Sequence, residues 1–262
     1  MNDLTKNSNS AESLAQSFGY TEVDESQREQ KIRAVFAAVA PRYDLMNDVM
    51  SFGIHRLWKR KLVAMLKLKE SSVSDLTVVD LAGGTGDIAE KIYNSISTGG
   101  VIVVDPSVEM MEEGGRRGIE GVEFRLGSGE SIPFEDSSVD KVTISFGMRN
   151  MTNMEEALQE IYRILKPGGT VHSLEFSRAA WWLKPFYDFH SFYIIPRLGA
   201  WIAKAPIAYN YLVESIRRFP DQEEMKRIME RAGFKKVEYK NLSFGIAAIP
   251  FCRKIERVNK FE

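Results

Sequence analysis

Cysteine and histidine are almost missing from this 262-residue chain, which has one Cys, Cys252, and three His. A lone thiol excludes an internal disulfide and fits a reducing compartment. So few soft ligands give no reason to expect a metal site. No apolar run approaches the roughly 18 residues of a membrane span. Neither sign of charge dominates: 35 Lys and Arg face 36 Asp and Glu, a net charge of -1, so nothing points to nucleic acid as a partner. The start of the chain lacks the apolar stretch of a signal peptide. It carries Asp3, Glu12, Glu22, Asp24 and Glu25 before its first arginine, Arg28, unlike a basic, acid-poor transit peptide. These absences favour a cytoplasmic protein of bacterial type over one of the mitochondrial matrix.

The remaining composition, 44% hydrophobic, supplies an ordinary core, and the length suits one large α/β domain rather than two small ones. Charge is nonetheless uneven. From Ser177 to Glu262 there are 16 Lys and Arg against 9 Asp and Glu. That basic third is either a solvated face or a surface for an acidic membrane.

Residues 1–25 are rich in Ser, Asn, Asp and Glu and read as a mobile tail. The rest, 26–262, reads as one domain. It opens with a helical cap over about 26–70, whose first helix starts at a Ser26–Glu29 capping box, buries Ile32, Val35, Phe36 and Val39, and stops at Pro41. A second amphipathic segment carries Ile54, Leu57, Trp58, Leu62, Met65 and Leu66. Short apolar strands then alternate with helices: Thr77–Leu81, Val101–Val104, Val122–Leu126, Lys141–Phe146 and Thr170–Phe176. This alternation predicts a parallel sheet covered on both faces. Lys166-Pro167-Gly168-Gly169 reads as the turn into the fifth strand, and a helix from Asp221 precedes strands at Val237–Leu242 and Ile246–Phe251. Between strand five and that helix lies an insertion, about 177–219, holding Trp181, Trp182, Phe186, Tyr187, Phe189, Phe192, Tyr193, Trp201, Tyr209 and Tyr211. Its position suits a lid over a ligand crevice, with most of these aromatics buried.

The strongest local signal is Asp80-Leu81-Ala82-Gly83-Gly84-Thr85-Gly86-Asp87, between a strand and a helix, with Asp105 ending the next strand. Asp80, Gly83, Gly84, Thr85 and Gly86 could let a cofactor approach the backbone, and Asp105 could take both hydroxyls of a ribose. Gly84-x-Gly86-x-x-Ala89 also satisfies a relaxed dinucleotide fingerprint. Asp87 occupies the helix N-terminus a pyrophosphate would need, so the loop favours a cation such as the sulfonium of S-adenosylmethionine. Asp87 could equally be a plain helix cap.

Further stretches carry a resemblance. They are Arg42-Tyr43-Asp44-Leu45-Met46-Asn47-Asp48, Gly53-Ile54-His55-Arg56-Leu57-Trp58-Lys59, Ile144-Ser145-Phe146-Gly147-Met148-Arg149-Asn150, Glu175-Phe176-Ser177, Tyr211-Leu212-Val213-Glu214-Ser215-Ile216 and Phe219-Pro220-Asp221-Gln222. With the glycine loop and the Lys-Pro-Gly-Gly turn, and in this order, they resemble the ubiquinone/menaquinone biosynthesis C-methyltransferase family from about Phe18 to Ile249. The resemblance implies a class I methyltransferase fold: α/β, Rossmann-like, with a mostly parallel seven-stranded sheet. It also implies S-adenosylmethionine as cofactor and a ring carbon of a polyprenylated benzoquinol or demethylmenaquinol as methyl acceptor. On the same basis Thr85, Asp105, Ser128, Gly129 and Ser145 would contact the cofactor, and Tyr43, Arg149 and Asn150 would serve the acceptor. Arg149 would act as a cation rather than a base, unless it forms a structural ion pair with an acid such as Glu175.

Three positions depart from the family. Ser128 stands where Asp or Asn is usual. The segment Ala203-Lys204-Ala205-Pro206-Ile207 lacks a Gly-Asp pair, and Ile249-Pro250-Phe251-Cys252 lacks a His-Gly pair. Pro250 predicts an edge or bulged strand. A peripheral membrane protein acting on a prenylated quinol is the leading reading, as a homodimer or a member of a quinone-biosynthesis complex. A methyltransferase for a soluble phenol and a non-catalytic cofactor-binding scaffold stay open.

Overall fold

The computed structural model describes residues 14–68, 75–96, 98–198 and 206–255. Its sheet has seven strands: β1 (Leu76–Leu81), β2 (Gly99–Asp105), β3 (Val122–Leu126), β4 (Val139–Ser145), β5 (Leu165–Phe176), β6 (Lys235–Leu242) and β7 (Ala247–Arg253). They run in the order β3-β2-β1-β4-β5-β7-β6. The first five are parallel, and β7 lies antiparallel between β5 and β6. Strand order reverses between β1 and β4, so a crevice opens at their carboxyl ends.

Each inner strand is apolar on both faces, which is why the sequence reads as near-continuous hydrophobic runs. Val79 and Leu81 of β1 join Ile102, Val104, Val142 and Ile144 in one core cluster. The helices α6 (Met154–Ile164) and α10 (Gln222–Arg231) cover this face. Leu76 and Val78 point the other way with Val101 and Val103, under α3 (Ile54–Met65) and α4 (Asp87–Tyr93). α6 has the expected helical logic. Asn153 caps its first turn by accepting from the Glu156 amide, and Met154, Ala157, Leu158, Ile161 and Ile164 fall on one buried face. The remaining helices are α1 (Glu25–Val39), α2 (Tyr43–Ser51), α5 (Val108–Arg116), α7 (Lys184–Phe189), α8 (Ile195–Leu198) and α9 (Pro206–Arg218).

Several expectations need correction. Asp24, not Ser26, caps α1: its carboxylate accepts from the Gln27 amide at 2.8 Å and from Ser26 Oγ at 2.7 Å. An ionised oxygen is the stronger acceptor and takes the cap. In α3, Ile54 and Leu57 face solvent, whereas His55 and Lys59 are buried with Trp58 and Leu62. The helix is turned so that these two polar residues reach Asp48 and Asp87. Pro250 lies in an inner strand with no register shift at that point. The β5–β7 ladder breaks between the His172–Phe251 and Glu175–Ala248 pairs, while Pro250 still pairs with Tyr239 of β6. The missing N–H is thus absorbed as a local gap rather than an edge or a bulge.

Residues 1–13 of the expected tail lie outside the described residues, but the segment after them is packed. Ser17–Phe18 and Thr21–Glu22 form a short antiparallel hairpin. Phe18 stacks on Tyr211 of α9, and Tyr20 N donates to Glu214 Oε2 at 3.0 Å. Arg28 explains the order. It is 1% exposed and donates to the carbonyls of Ser17 (3.0 Å), Met151 (2.7 Å) and Arg149 (3.0 Å). Polar sequence here marks a hydrogen-bonded strap, with Leu14, Ser17 and Gly19 buried and Tyr20, Thr21 and Glu22 exposed. Arg28→Met, which keeps the length and removes the donors, is expected to lower the unfolding free energy by about 2–4 kcal/mol in urea titration. An unchanged unfolding free energy would refute that account.

Candidate functional site

The loop after β1 bends sharply. Ala82 takes a left-handed conformation (φ 52°), as do Gly84 (φ 57°) and Gly86 (φ 80°), which opens α4. A Cβ on Gly83 would stand 2.7 Å from Asp80 Oδ2, so only glycine lets the loop fold back over that carboxylate. At the end of the neighbouring β4, Phe146 is also left-handed (φ 59°). Two non-glycine residues in this conformation at adjacent strand ends fit the way strain gathers at functional sites.

Between these loops and α1 lies a cavity of about 320 Å³. Nine of the twelve residues singled out in the sequence line it: Asp80, Gly83, Gly84, Thr85, Asp105, Ser128, Gly129, Ser145 and Asn150. Gly86 does not line it but turns the chain into α4. Arg149 lies behind it, and Tyr43 opens α2 with a side chain outside the described ones. His55 is buried and held at Nε2 by Asp48 Oδ1 at 2.8 Å, a structural contact.

The cavity is acidic in an unusual way. Asp80 is fully buried and accepts from Thr143 Oγ1 at 2.9 Å through one oxygen only. Its Oδ2 has no hydrogen-bond partner, and neither has the buried Ser145 Oγ. Burial pushes the Asp80 carboxyl up to about 7, against the pull of Thr143 and the Lys59 charge. Asp105 accepts from the amides of Gly84 (2.9 Å) and Ser107 (2.8 Å), and burial raises it as well. Each of its oxygens keeps a further lone pair for a ligand hydroxyl. Asp87, expected to make the loop acidic, is instead neutralised. Burial raises its carboxyl, but Lys59 at 2.8 Å and Lys91 overcome this and hold it well below the usual carboxylate range. Of the three acids at the glycine loop and the end of β2, Asp80 and Asp105 keep no counter-ion, and these two carboxylates suit a ligand with a cation and a vicinal diol.

On the far side of the β4 turn, Arg149 is 5% exposed and paired with Glu175 at 3.0 Å. It also donates to the Phe146 carbonyl at 2.6 Å. The ion-pair alternative raised for this residue is the arrangement found. Asn150 Nδ2 donates to the same carbonyl at 3.2 Å, and its Oδ1 accepts from Tyr211 OH at 3.1 Å. Asn150 also lines a second, mostly apolar cavity of about 40 Å³, together with Val35, Phe36, Met50, Arg149 and Tyr211. Phe36 and Asn150 border both spaces.

Sequence reasoning gave no site role to Lys59, Tyr211, Arg28 or Glu130, whose carboxylate accepts from the amides of Thr152 (2.7 Å) and Asn153 (3.0 Å). Arg28 and Lys59 each had a legible signal, a charge on the apolar stripe of an amphipathic helix.

The lid aromatics are the largest departure from expectation. Tyr209 and Tyr211 are buried, but Trp181 (85% exposed), Trp182, Phe186, Phe189, Phe192 and Tyr193 face solvent. Trp201 lies outside the described residues. Among those residues, no helix is long and apolar enough to cross a membrane.

Asp80 yields a pH test with S-adenosylmethionine as ligand. Its carboxyl titrates at about 7, so below that it is neutral and the attraction for a cation is lost. Affinity measured by calorimetry is expected to weaken as pH falls through about 7. Asp80→Asn should bind roughly tenfold or more weakly and show a flat profile. A wild-type affinity that does not vary from about pH 6 to about pH 8 would remove Asp80 from the binding account.

Comparison with known proteins places this geometry. A sequence model of the ubiE/COQ5 methyltransferase family matches residues 24–254. Over 236 residues the chain is 57% identical to the ubiquinone/menaquinone biosynthesis C-methyltransferase UbiE of Rubrivivax gelatinosus, covering 90% of this chain and 92% of that one. It is 45% identical over 239 residues to the mitochondrial 2-methoxy-6-polyprenyl-1,4-benzoquinol methylase of Caenorhabditis elegans, covering 88% and 82%. Among solved structures, the [4+2]-cyclase SpnF aligns with a TM-score of 0.62 at 16% identity, covering 87% of this chain and 96% of that one. A SAM-dependent methyltransferase of Thermotoga maritima aligns at 0.58 and 21%, covering 85% and 99%. Such identities speak to fold alone, and the fold is that of class I methyltransferases. The orphaned Asp80 and Ser145 oxygens and the tight glycine loop fit S-adenosylmethionine, the cofactor of this class. Because the family match runs from the cap of α1 through β7 and takes in both cavities, this chain belongs to the ubiE/COQ5 family as an S-adenosylmethionine-dependent C-methyltransferase.

Proposed function

We propose that the chain methylates a ring carbon of a polyprenylated benzoquinol or demethylmenaquinol in ubiquinone and menaquinone biosynthesis, working as a peripheral protein at a membrane surface. The observation that carries this reading is the meeting of an acidic cavity and an apolar one at Asn150, the apolar one walled by Tyr209 and Tyr211 of α9. When bound, S-adenosylmethionine supplies a methyl group activated by its sulfonium. Asp80 provides the counter-charge, Asp105 takes ribose hydroxyls, and Ser128, Gly129 and Ser145 line the remainder. Ser128 reaches less far than a longer polar side chain, so a contact with an adenine edge would need a bridging water.

On the acceptor side the protein must align a ring carbon, exclude water and stabilise the developing phenolate. Asn150, at the boundary, would hold a ring oxygen. The apolar cavity has to widen to admit a ring, which is a task for α2 and the lid. Arg149 would lend positive charge to this region even though Glu175 balances it.

Labelled methyl transfer followed by mass spectrometry tests the reading, with a reduced prenyl benzoquinol and a reduced demethylmenaquinol offered separately in detergent. A carbon-bound labelled methyl on either ring supports it and identifies the preferred quinol. Cofactor binding without methylation of either sends the reading to a soluble acceptor or a scaffold.

Arg149 needs a paired test. Arg149→Met alone leaves Glu175, 2% exposed, as an uncompensated buried carboxylate, at a cost of about 3–5 kcal/mol. Adding Glu175→Leu should restore most of the unfolding free energy. If the arginine charge serves the chemistry, turnover of the double variant stays down by roughly a hundredfold. Recovered turnover would make Arg149 purely structural.

The exposed lid favours a lipid-borne acceptor over a soluble one. Trp181, Phe186 and Phe189 are exposed on one short stretch, where Lys184 pairs with Asp188, in a region carrying excess positive charge. Exposed aromatics with nearby cations suit the interface of an anionic bilayer. Trp181→Ser/Phe186→Ser is expected to lose co-sedimentation with anionic vesicles while the unfolding midpoint holds. Undiminished sedimentation would refute docking through this face.

A further inference from the structure

We infer that Tyr211, on lid helix α9, is a positioning residue for methyl transfer: its hydroxyl fixes the Asn150 amide so that an N–H is presented to the acceptor. This rests on the quinol reading above, with Asn150 as the group that meets the acceptor.

The orientation of the amide is set by its neighbours. Asn150 Nδ2 lies 3.2 Å from the Phe146 carbonyl, which can only accept. A flipped amide would set oxygen against oxygen there, so nitrogen must face it. Oδ1 is thereby turned to Tyr211 OH at 3.1 Å, and the phenol must be the donor. Burial raises the Tyr211 phenol above its ordinary value, so it keeps this proton at neutral pH. The second N–H of Nδ2 has no acceptor among the described residues, and Asn150 borders both cavities. A donor at that position matches an oxygen that gains negative charge as a quinol ring becomes nucleophilic.

Tyr211 is itself held firmly. It is 4% exposed and lines the apolar cavity. Its ring stacks on Phe18 with centroids 4.4 Å apart and planes 9° from parallel. The hairpin bearing Phe18 is tied to α9 by Tyr20 N on Glu214 and by Arg218 on the Gly19 carbonyl, both at 3.0 Å. Arg28 meanwhile grips the backbone carbonyls on either side of Asn150. Backbone and side chain of one residue are thus set by two separate elements, the first helix and the lid.

The test is a double-mutant cycle on the full chain. Tyr211→Phe keeps the stacked ring and removes only the hydroxyl. It is expected to lower kcat by about tenfold or more, with the S-adenosylmethionine dissociation constant and the urea midpoint little changed. In an Asn150→Ala background the same substitution should cause no further loss. Full turnover in Tyr211→Phe, or an equal loss with and without Asn150, overturns the inference. Should the wild-type protein methylate neither quinol, the quinol reading fails on its own, and the same four proteins still decide the contact through their unfolding free energies. Non-additive shifts retain Tyr211 as the residue that fixes the amide, and additive shifts remove it.

Discussion

The buried pair of Arg149 and Glu175 is the constraint on which the site is built. Both side chains are within a few per cent of complete burial, where further hydrogen bonds help to offset the cost of taking the charges out of water, although Arg149 Nε is left without a partner. Here the guanidinium reaches the Phe146 carbonyl as well, and Glu175 receives the Arg149 amide. Burial pushes the Glu175 carboxyl up and the facing arginine pulls it back. The rings of Phe146 and Phe176 lie 5.8 and 5.6 Å from the guanidinium carbon, closing the pair off from water. Together these contacts pin the turn leaving β4 onto the end of β5. Phe146 can therefore hold a left-handed backbone, and Asn150 has one place to be.

From that fixed turn the two cavities acquire opposite characters. On one side, Asp80 and Asp105 bring carboxylates into a space whose nearest buried cation, Lys59, is already committed to Asp87. On the other, Val35, Phe36, Met50 and Leu212 supply an apolar wall with few polar groups. Such a division suits a polar, cationic donor and an apolar, ring-bearing acceptor meeting at a single amide. Lys59 links the halves of the fold: α3 is rotated to bury it, so the helical cap helps to set the charge beneath the glycine loop.

Legibility in the sequence tracks how local the physics is. The strands can be read from β-branched runs buried on both faces, and the glycine loop from a backbone need that only small residues meet. All of the loop positions except Gly86 do line the cavity. The features that escape depend on tertiary partners. Arg28 shows only as a charge on the apolar stripe of α1, because nothing in the chain says that four carbonyls await it, three of them more than a hundred residues away. Asp87 reads as unpaired because its lysines, one on α3 and one a turn along α4, become its partners only on folding. Pro250 misleads for the opposite reason: a rule about ladder donors holds strand by strand, and a wide sheet can absorb one gap.

The lid shows what burial alone does not explain. Phe52, after α2, and Phe244, between β6 and β7, are both left-handed, with φ of 50° and 56°. For residues other than glycine this costs on the order of 1–2 kcal/mol each. They are 75% and 68% exposed, so packing within the chain offsets little of it. Phe52 lies against His190 and Phe244 against Trp182, which sets the two tips at either end of α7. Glycine would hold both turns with less strain. Phenylalanine gains the difference only where its ring leaves water, and full transfer of such a ring is worth roughly 1.5–3 kcal/mol. That magnitude matches the strain. On the docking reading, the two strained tips and the outward aromatics of α7 form one surface whose energetic deficit in water is offset at a lipid interface, the same place from which a prenylated quinol would enter.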